Sequence, residues 1–350
     1  MTDKIKYRRG VILARIEGTY GTDPFSGTPA FGSGYELYVE NWESDIEYEP
    51  IAREGLQPHR QQLKPAQGNG TFPLKFDVEV SPATIEDGNS RPKIDPILQA
   101  CGLVATASVG GDPKTITYKD KDSPQASCTI IAILYNESAD DGIMVIYTGC
   151  RFDWTLKMAS RERWMLSVSG FAAYGAESDI GAGPSGSIAY LLPKPLVGGG
   201  ASCTISEVDA DTSYSLDVVS LEVRGNNAPV ERLALSGVQG IAEIAIPGGG
   251  HLQATLAIRA TSRATFNPAS YQKEVTALSV AVAQPNPATA GNYCQVSFLS
   301  VIRTRPIAED NQLANWNLAL DLISPEATSD GGGLVPVNGV FTWVFGTKAA

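Results

Sequence analysis

The sequence predicts a mainly β protein: two tandem, duplicated β-sandwich or barrel-like domains, each with a short helix, plus N- and C-terminal arms. Three observations carry that expectation. Runs of alternating apolar and polar residues recur along the 350-residue chain, and alternation sends successive side chains to opposite faces of a strand. Its 35 glycines and 22 prolines are spread throughout, which favours many turns over long helices. Several short patterns of the first half also return, in the same order, in the second.

Residues 1–34 read as an arm, with a basic start, a strand at Gly10–Glu17 and a Gly/Ser/Pro-rich loop after Pro24. A first domain is placed at 35–178. Its opening strand, Trp42–Glu49, sends Trp42, Ser44, Ile46 and Tyr48 to one face and Glu43, Asp45, Glu47 and Glu49 to the other. Thr71–Val80 alternates again, with Phe72, Leu74, Phe76 and Val78 inward against Lys75, Asp77 and Glu79. Between them, Gln57–Gly70 holds His59, Arg60 and Lys64 without apolar periodicity, and a connection of that length in a compact domain tends to be functional or disordered. Asp95 is expected to cap a short helix with Pro96 in its first turn and Gly102 at its stop. Strands follow at Lys114–Tyr118, Ser127–Tyr135, Gly142–Thr148, Arg151–Lys157 and Arg163–Ala172, the last two as a hairpin.

A linker with short strands, including Ser202–Val208, is placed at 179–210 around Gly198–Gly200, and a second domain at 211–325. There Tyr35-x-Leu37-x-Val39 returns as Tyr214-x-Leu216-x-Val218, and Pro50–Arg53 as Pro229–Arg232. Gly70 before its strand returns as Gly250, Asp95-Pro96 as Asn267-Pro268, and Trp164-x-Leu166 as Trp316-x-Leu318. A C-terminal strand or arm fills 326–350. Its Val340–Phe345 run is apolar on both faces, so it must pair within its own fold or with a neighbour.

A net charge of −11 argues against gripping nucleic acid by its phosphates, which needs clustered Lys and Arg. It does not bar a protein that lets nucleic acid pass. The odd cysteine count, the lack of a CxxC pair and only two histidines, His59 and His251, speak against structural zinc. Val11–Ile16 is too short for a signal peptide or a membrane span. The expectation is a protein made in a reducing cytosol with buried thiols. Gly181–Gly186 fits GxGxxG, but no apolar strand leads into it and no helix follows. Asp153 faces away from the rings of Phe152 and Trp154, so nothing tunes it for catalysis. No catalytic residue, cofactor or metal is expected. Both histidines read as exposed loop residues, and Trp164 and Trp316 as core anchors. The acid row is either a solvated face or a working negative surface. The cations of Gln57–Gly70 are either solvated or one side of a contact.

Val11–Pro24, followed by Tyr48–Arg53, resembles the opening of tail tube (major tail) proteins of long non-contractile-tailed bacteriophages. Asp95–Gly102 resembles their short helix, and Leu221–Arg232 the start of their second half. The resemblance covers Gly10 to about Leu322, and its most specific pieces are Glu17–Pro24 and Gly225–Arg232. The Asn136–Gly142 loop and the Gly331–Phe345 stretch depart from it.

The resemblance implies a structural virion protein that self-assembles into stacked rings, a tube through which genomic DNA passes without specific binding. It would be made in the host bacterial cytoplasm. Three chains per ring are favoured and six remain open. Tape-measure, tail-terminator and distal tail proteins are the implied partners, with no membrane. On this reading Glu43, Asp45, Glu47, Glu49, Asp77 and Glu79 line the bore, and His59, Arg60 and Lys64 reach the adjacent ring. The alternative is a secreted-type β-sandwich adhesin or carbohydrate-binding module.

Overall fold

Alternation becomes paired strands almost everywhere it occurs. The computed structural model describes residues 10–25, 36–45, 47–51, 66–87, 89–120, 126–135, 142–180, 196, 201–208, 212–226, 228–238, 241–246, 251–284, 291–310, 313–323 and 341–349. His59, Arg60, Lys64, Gly181–Gly186 and most of the Asn136–Gly142 and Gly331–Phe345 stretches lie outside them.

In the first half the elements are β1 (Gly10–Ile16), β2 (Glu36–Leu37), β3 (Val39–Ser44), β4 (Glu47–Ile51), β5 (Ala66–Glu79), α1 (Asp95–Ala100), β6 (Leu103–Ser108), β7 (Lys114–Asp120), β8 (Cys128–Tyr135), β9 (Gly142–Ala159), β10 (Met165–Ala172) and β11 (Tyr174–Ile180). The second half adds β12 (Ser202–Glu207), β13 (Ser213–Ser215), β14 (Val218–Arg224), β15 (Val230–Val238), β16 (Ile241–Ala245), β17 (Gln253–Arg259), α2 (Pro268–Glu274), β18 (Leu278–Gln284), β19 (Gly291–Thr304), β20 (Ile307–Asp310), β21 (Leu313–Leu322) and β22 (Phe341–Lys348).

The two strands expected on either side of Gly149 run together as β9, 18 residues long. Gly149 bends the chain at φ +68°, and a Cβ there would lie 2.8 Å from that of Ala173, so only glycine fits. Before the bend, β9 sits between β8 and β11 in sheet I, ordered β2-β1-β8-β9-β11. After it, β9 lies beside β10 in sheet II, ordered β3-β5-β10-β9.

The second half repeats this order of pairings. Its sheet I runs β13-β12-β18-β19-β22, and its sheet II runs β14-β17-β21 with β19 and then β20 beside β21. Thus β12 pairs into the second half. The break between β19 and β20 falls at Arg305-Pro306, where proline removes a ladder donor. Two strand ladders cross between the halves. The β6–β7 hairpin lays β7 against β22. Thr155–Ala159 of β9 also pairs with Ser220–Arg224 of β14, making one ladder of both sheets II.

Apolar faces of sheets I and II meet in a core shared by both halves. Trp42 stacks on Phe76 at 5.3 Å, Phe76 meets Phe152 edge-on at 5.6 Å, and Tyr147 of sheet I comes within 6.4 Å of Trp42. Each fully buried large side chain contributes about 1.5–3 kcal/mol. The C-terminal strand finds its cover inside the fold: Phe341, Trp343 and Phe345 are fully buried in β22, between β19 and β7. All five cysteines are buried and unpaired, and burial pushes the Cys203 and Cys294 thiols up to about 12.

Three local expectations change. The Trp42–Glu49 run divides into β3 and β4. Asn41 takes φ 51° and shifts the β3–β5 register between Glu40 and Glu43, while β4 pairs only with the first part of β5. Asp95 lies inside α1 rather than capping it. Its buried carboxylate accepts from Tyr118 Oη at 2.7 Å and Gln99 Nε2 at 2.9 Å. Trp164 and Trp316 are both buried, but they do not occupy equivalent places. Ile258 pairs with Trp316, whereas Val78, which the expected repeat sets against Ile258, pairs with Leu166, two residues beyond Trp164.

Candidate functional site

The turn after β1 is built around a buried carboxylate. Glu17 is 8% exposed and accepts from Gly21 N (2.7 Å), Ser127 Oγ (2.6 Å), Thr129 Oγ1 (2.8 Å) and Gly149 N (2.7 Å). One side chain therefore ties the turn to β8 and to the bend of β9. Tyr20 follows, its hydroxyl accepting from Ile244 N at 2.5 Å, and burial pushes the phenol up to about 12. Arg151 lies over the Tyr20 ring at 4.9 Å. It donates to Glu243 Oε1 at 2.6 Å and to the Ile244 carbonyl.

With Ile241 and Ile244 packed near Phe171, Ala173 and Tyr20, these bonds dock the β15–β16 hairpin on the first half. Arg151→Met is expected to cost about 2–3 kcal/mol, because Arg151 is buried while water replaces part of the loss at half-exposed Glu243. Hydrogen exchange should quicken across Val230–Ala245 while β8 stays protected. Unchanged exchange in that hairpin would refute the docking role.

Gly225 explains the other specific segment. Its N–H donates to the Trp154 carbonyl at 2.9 Å. A Cβ there would meet Trp154 Nε1 at 2.7 Å and Asp153 Oδ1 at 2.8 Å.

The exposed face of sheet II carries the charge pattern. Alternation turns Phe76, Val78, Trp154, Leu156, Leu221, Val223, Leu256 and Leu318 into the core. The opposite face then shows Glu40, Glu43, Lys75, Asp77, Glu79, Asp153, Lys157, Glu222, Arg224 and Asp321. Cross-strand register sets them in rows, such as Glu40–Asp77–Ser167–Thr155–Arg224–Gln253–Asp321. A concavity of about 420 Å³ on this face is lined by Asn41, Lys75, Asp77, Asp153 and Lys157 among others.

Among the residues expected to form the acid face, Glu43, Asp77 and Glu79 come together here. Asp45 is exposed just beyond the end of β3. Glu47 and Glu49 lie on β4, in its separate ladder, and their side chains are outside the described residues.

The acids are interleaved with cations. Lys75 pairs with Glu43 at 3.1 Å, Arg163 with Glu79 and Glu40 at 2.8 Å each, and Arg303 with Asp321 at 3.5 Å. Arg224 pairs with Glu222. Asn41 Nδ2 donates to Asp77 at 2.6 Å. Hydrogen bonds from Arg163 to Glu79 and then Glu40 hold its guanidinium still more firmly charged.

His251 is exposed, as expected of a loop residue. Sequence reasoning missed Glu17, Arg151 and Glu243; only the concentration of resemblance near Glu17–Pro24 and Gly225–Arg232 hinted at them. The profile of the family described as phage tail tube protein matches residues 8–336. No curated protein matches the chain. A β-rich chain with paired sheets and a family match across nearly its whole length leads to one conclusion: it belongs to the phage tail tube protein family and is a structural component of the virion tail.

Proposed function

We propose that three copies of this chain close a ring, that rings stack into a tube, and that the exposed face of sheet II lines its bore. The supporting observation is the repeated order of strand pairings joined through β9 and β14. It reads as two half-units arisen by tandem duplication, residues 10–180 and 202–348, with the β6–β7 hairpin of the first laid against β22 of the second. Three chains then supply six similar units around one axis. Tape-measure, terminator and distal tail proteins would meet the tube at its bore and ends, and the loop with His59, Arg60 and Lys64 would meet the next ring. Negative-stain microscopy of purified protein tests the reading. Rings or tubes with threefold and pseudo-sixfold symmetry are expected; compact monomers at every concentration overturn it.

The bore works by offering phosphates little to hold. Lys75, Arg163, Arg224 and Arg303 are already held by carboxylates, so a passing duplex gains little by giving up its condensed counterions to them, and the chain's net charge of −11 adds a weak repulsion. Glu43→Lys with Asp77→Lys should leave tubes intact. It should also make them retain DNA in a salt-dependent way and reduce infectivity by about tenfold or more. Normal infectivity of phage carrying both changes would remove the bore assignment.

A further inference from the structure

The β9–β14 junction gives a register against which the outer strands of both sheets II can be compared. In sheet II of the first half, one apolar row runs Val39–Val78–Leu166–Leu156 across β3, β5, β10 and β9. In the second half the matching row runs Val218–Ile258–Trp316–Ile307 across β14, β17, β21 and β20. A second match fixes the register four residues along: Ser44 pairs with Leu74 as Val223 pairs with Ala254. Leu156 is therefore the counterpart of Ile307, and Val223 the counterpart of Ser44.

Their surroundings differ in one respect. Leu156 lies opposite Val223 in the β9–β14 ladder and is fully buried. Ile307 points to the same apolar side of its sheet, opposite Trp316, yet it is 66% exposed. Among the described residues β20 has a ladder to β21 alone, and β3 has one to β5 alone. The second half thus ends in a strand lacking its β14, and the first half begins with a strand lacking its β9.

We propose that β20 of one chain pairs antiparallel with β3 of a second copy, in the register of the β9–β14 junction. Ile307 then lies opposite Ser44 and is covered beside the half-buried Trp42 ring, as Leu156 lies opposite Val223 beside Leu221. The occupant is a second copy because β3 is the only described strand with the sequence place of β14 and an outer side without a ladder. Ala308 falls opposite Glu43, which leaves that carboxylate on the exposed face with Lys75. This seam rests on the ring reading above and adds the strands and register that close it.

The test joins Ser44→Cys to Ile307→Cys. The five native cysteines are buried and unpaired, so mild oxidation should act on the new pair alone. Assembled protein should give covalent dimers and closed trimers on a denaturing gel, and neither single variant should. Ile307→Asp keeps the test valid should the disulfide geometry be poor. Its side chain is exposed in the single chain, so melting of the monomer should not change, while the concentration needed for assembly should rise about tenfold or more. Normal rings with no cross-link and an indifferent Ile307→Asp overturn the seam alone. Wild-type protein that forms no rings overturns the ring reading, and the seam with it.

Discussion

Glu17→Ala is expected to destabilise the protein by about 3–5 kcal/mol, because four donors lose one buried acceptor and each orphaned donor costs about 1–3 kcal/mol, partly recovered by relaxation. Ser127, Thr129 and the amides of Gly21 and Gly149 all donate to that carboxylate. The damage should localise. β1 pairs with β8 along its whole length, but its C-terminal end is held by this cluster, so proteolysis should begin near Gly18–Pro24. Glu17→Gln should fall between, since one amide oxygen still accepts while the NH2 group faces donors. Chemical denaturation measures both variants, and an alanine variant within about 1 kcal/mol of wild type would refute the anchor.

Gly170→Ala should be comparably severe despite adding one methyl group. The new Cβ would lie 2.1 Å from the Arg151 carbonyl oxygen and 2.9 Å from the Phe152 Cα, both backbone atoms of β9. Relief requires β10 and β9 to separate, but β10 is bonded to β5 on its other side and β9 continues into sheet I. Overpacking commonly costs 1–3 kcal/mol; with no flexible side chain to yield, about 3 kcal/mol or more is expected here. Gly110→Ala is the control, since its Cβ meets nothing within 4 Å. Equal melting temperatures for the two variants would show that β9 and β10 part more easily than the ladder implies.

Local alternation carried much of the fold. β5 and β10 emerge close to where Thr71–Val80 and Arg163–Ala172 place them, because each has one face to bury. Sequence was blind where a local signal has two tertiary outcomes. Gly149 reads as a turn between strands, yet it bends one strand between two sheets, and only Ala173 and Tyr20 packed against it decide which. The docking of β6–β7 on β22 leaves no local mark, since a hairpin pairs with itself identically wherever it docks.

The acid face was half legible. Alternation grouped Asp77 with Glu79, but the cations that neutralise the face arrive from other strands and turns, Arg163 onto Glu79 and Lys75 onto Glu43. Under the proposed repeat, the strand pairings set Trp316 against Leu166 rather than against Trp164. Trp164 and Trp316 share a face, and period two lets such a slip pass unseen. Arg151, Glu243 and Tyr20 meet from three distant segments, and no spacing rule links them.

The β9–β14 ladder bears on how the particle is built. Because it joins two parts of one polypeptide, it forms at any dilution, held at the high effective concentration of a tether. Only the contacts between separate molecules answer to protein supply. Nucleation of a closed circle should therefore depend less steeply on concentration than it would if each half were synthesised as its own subunit.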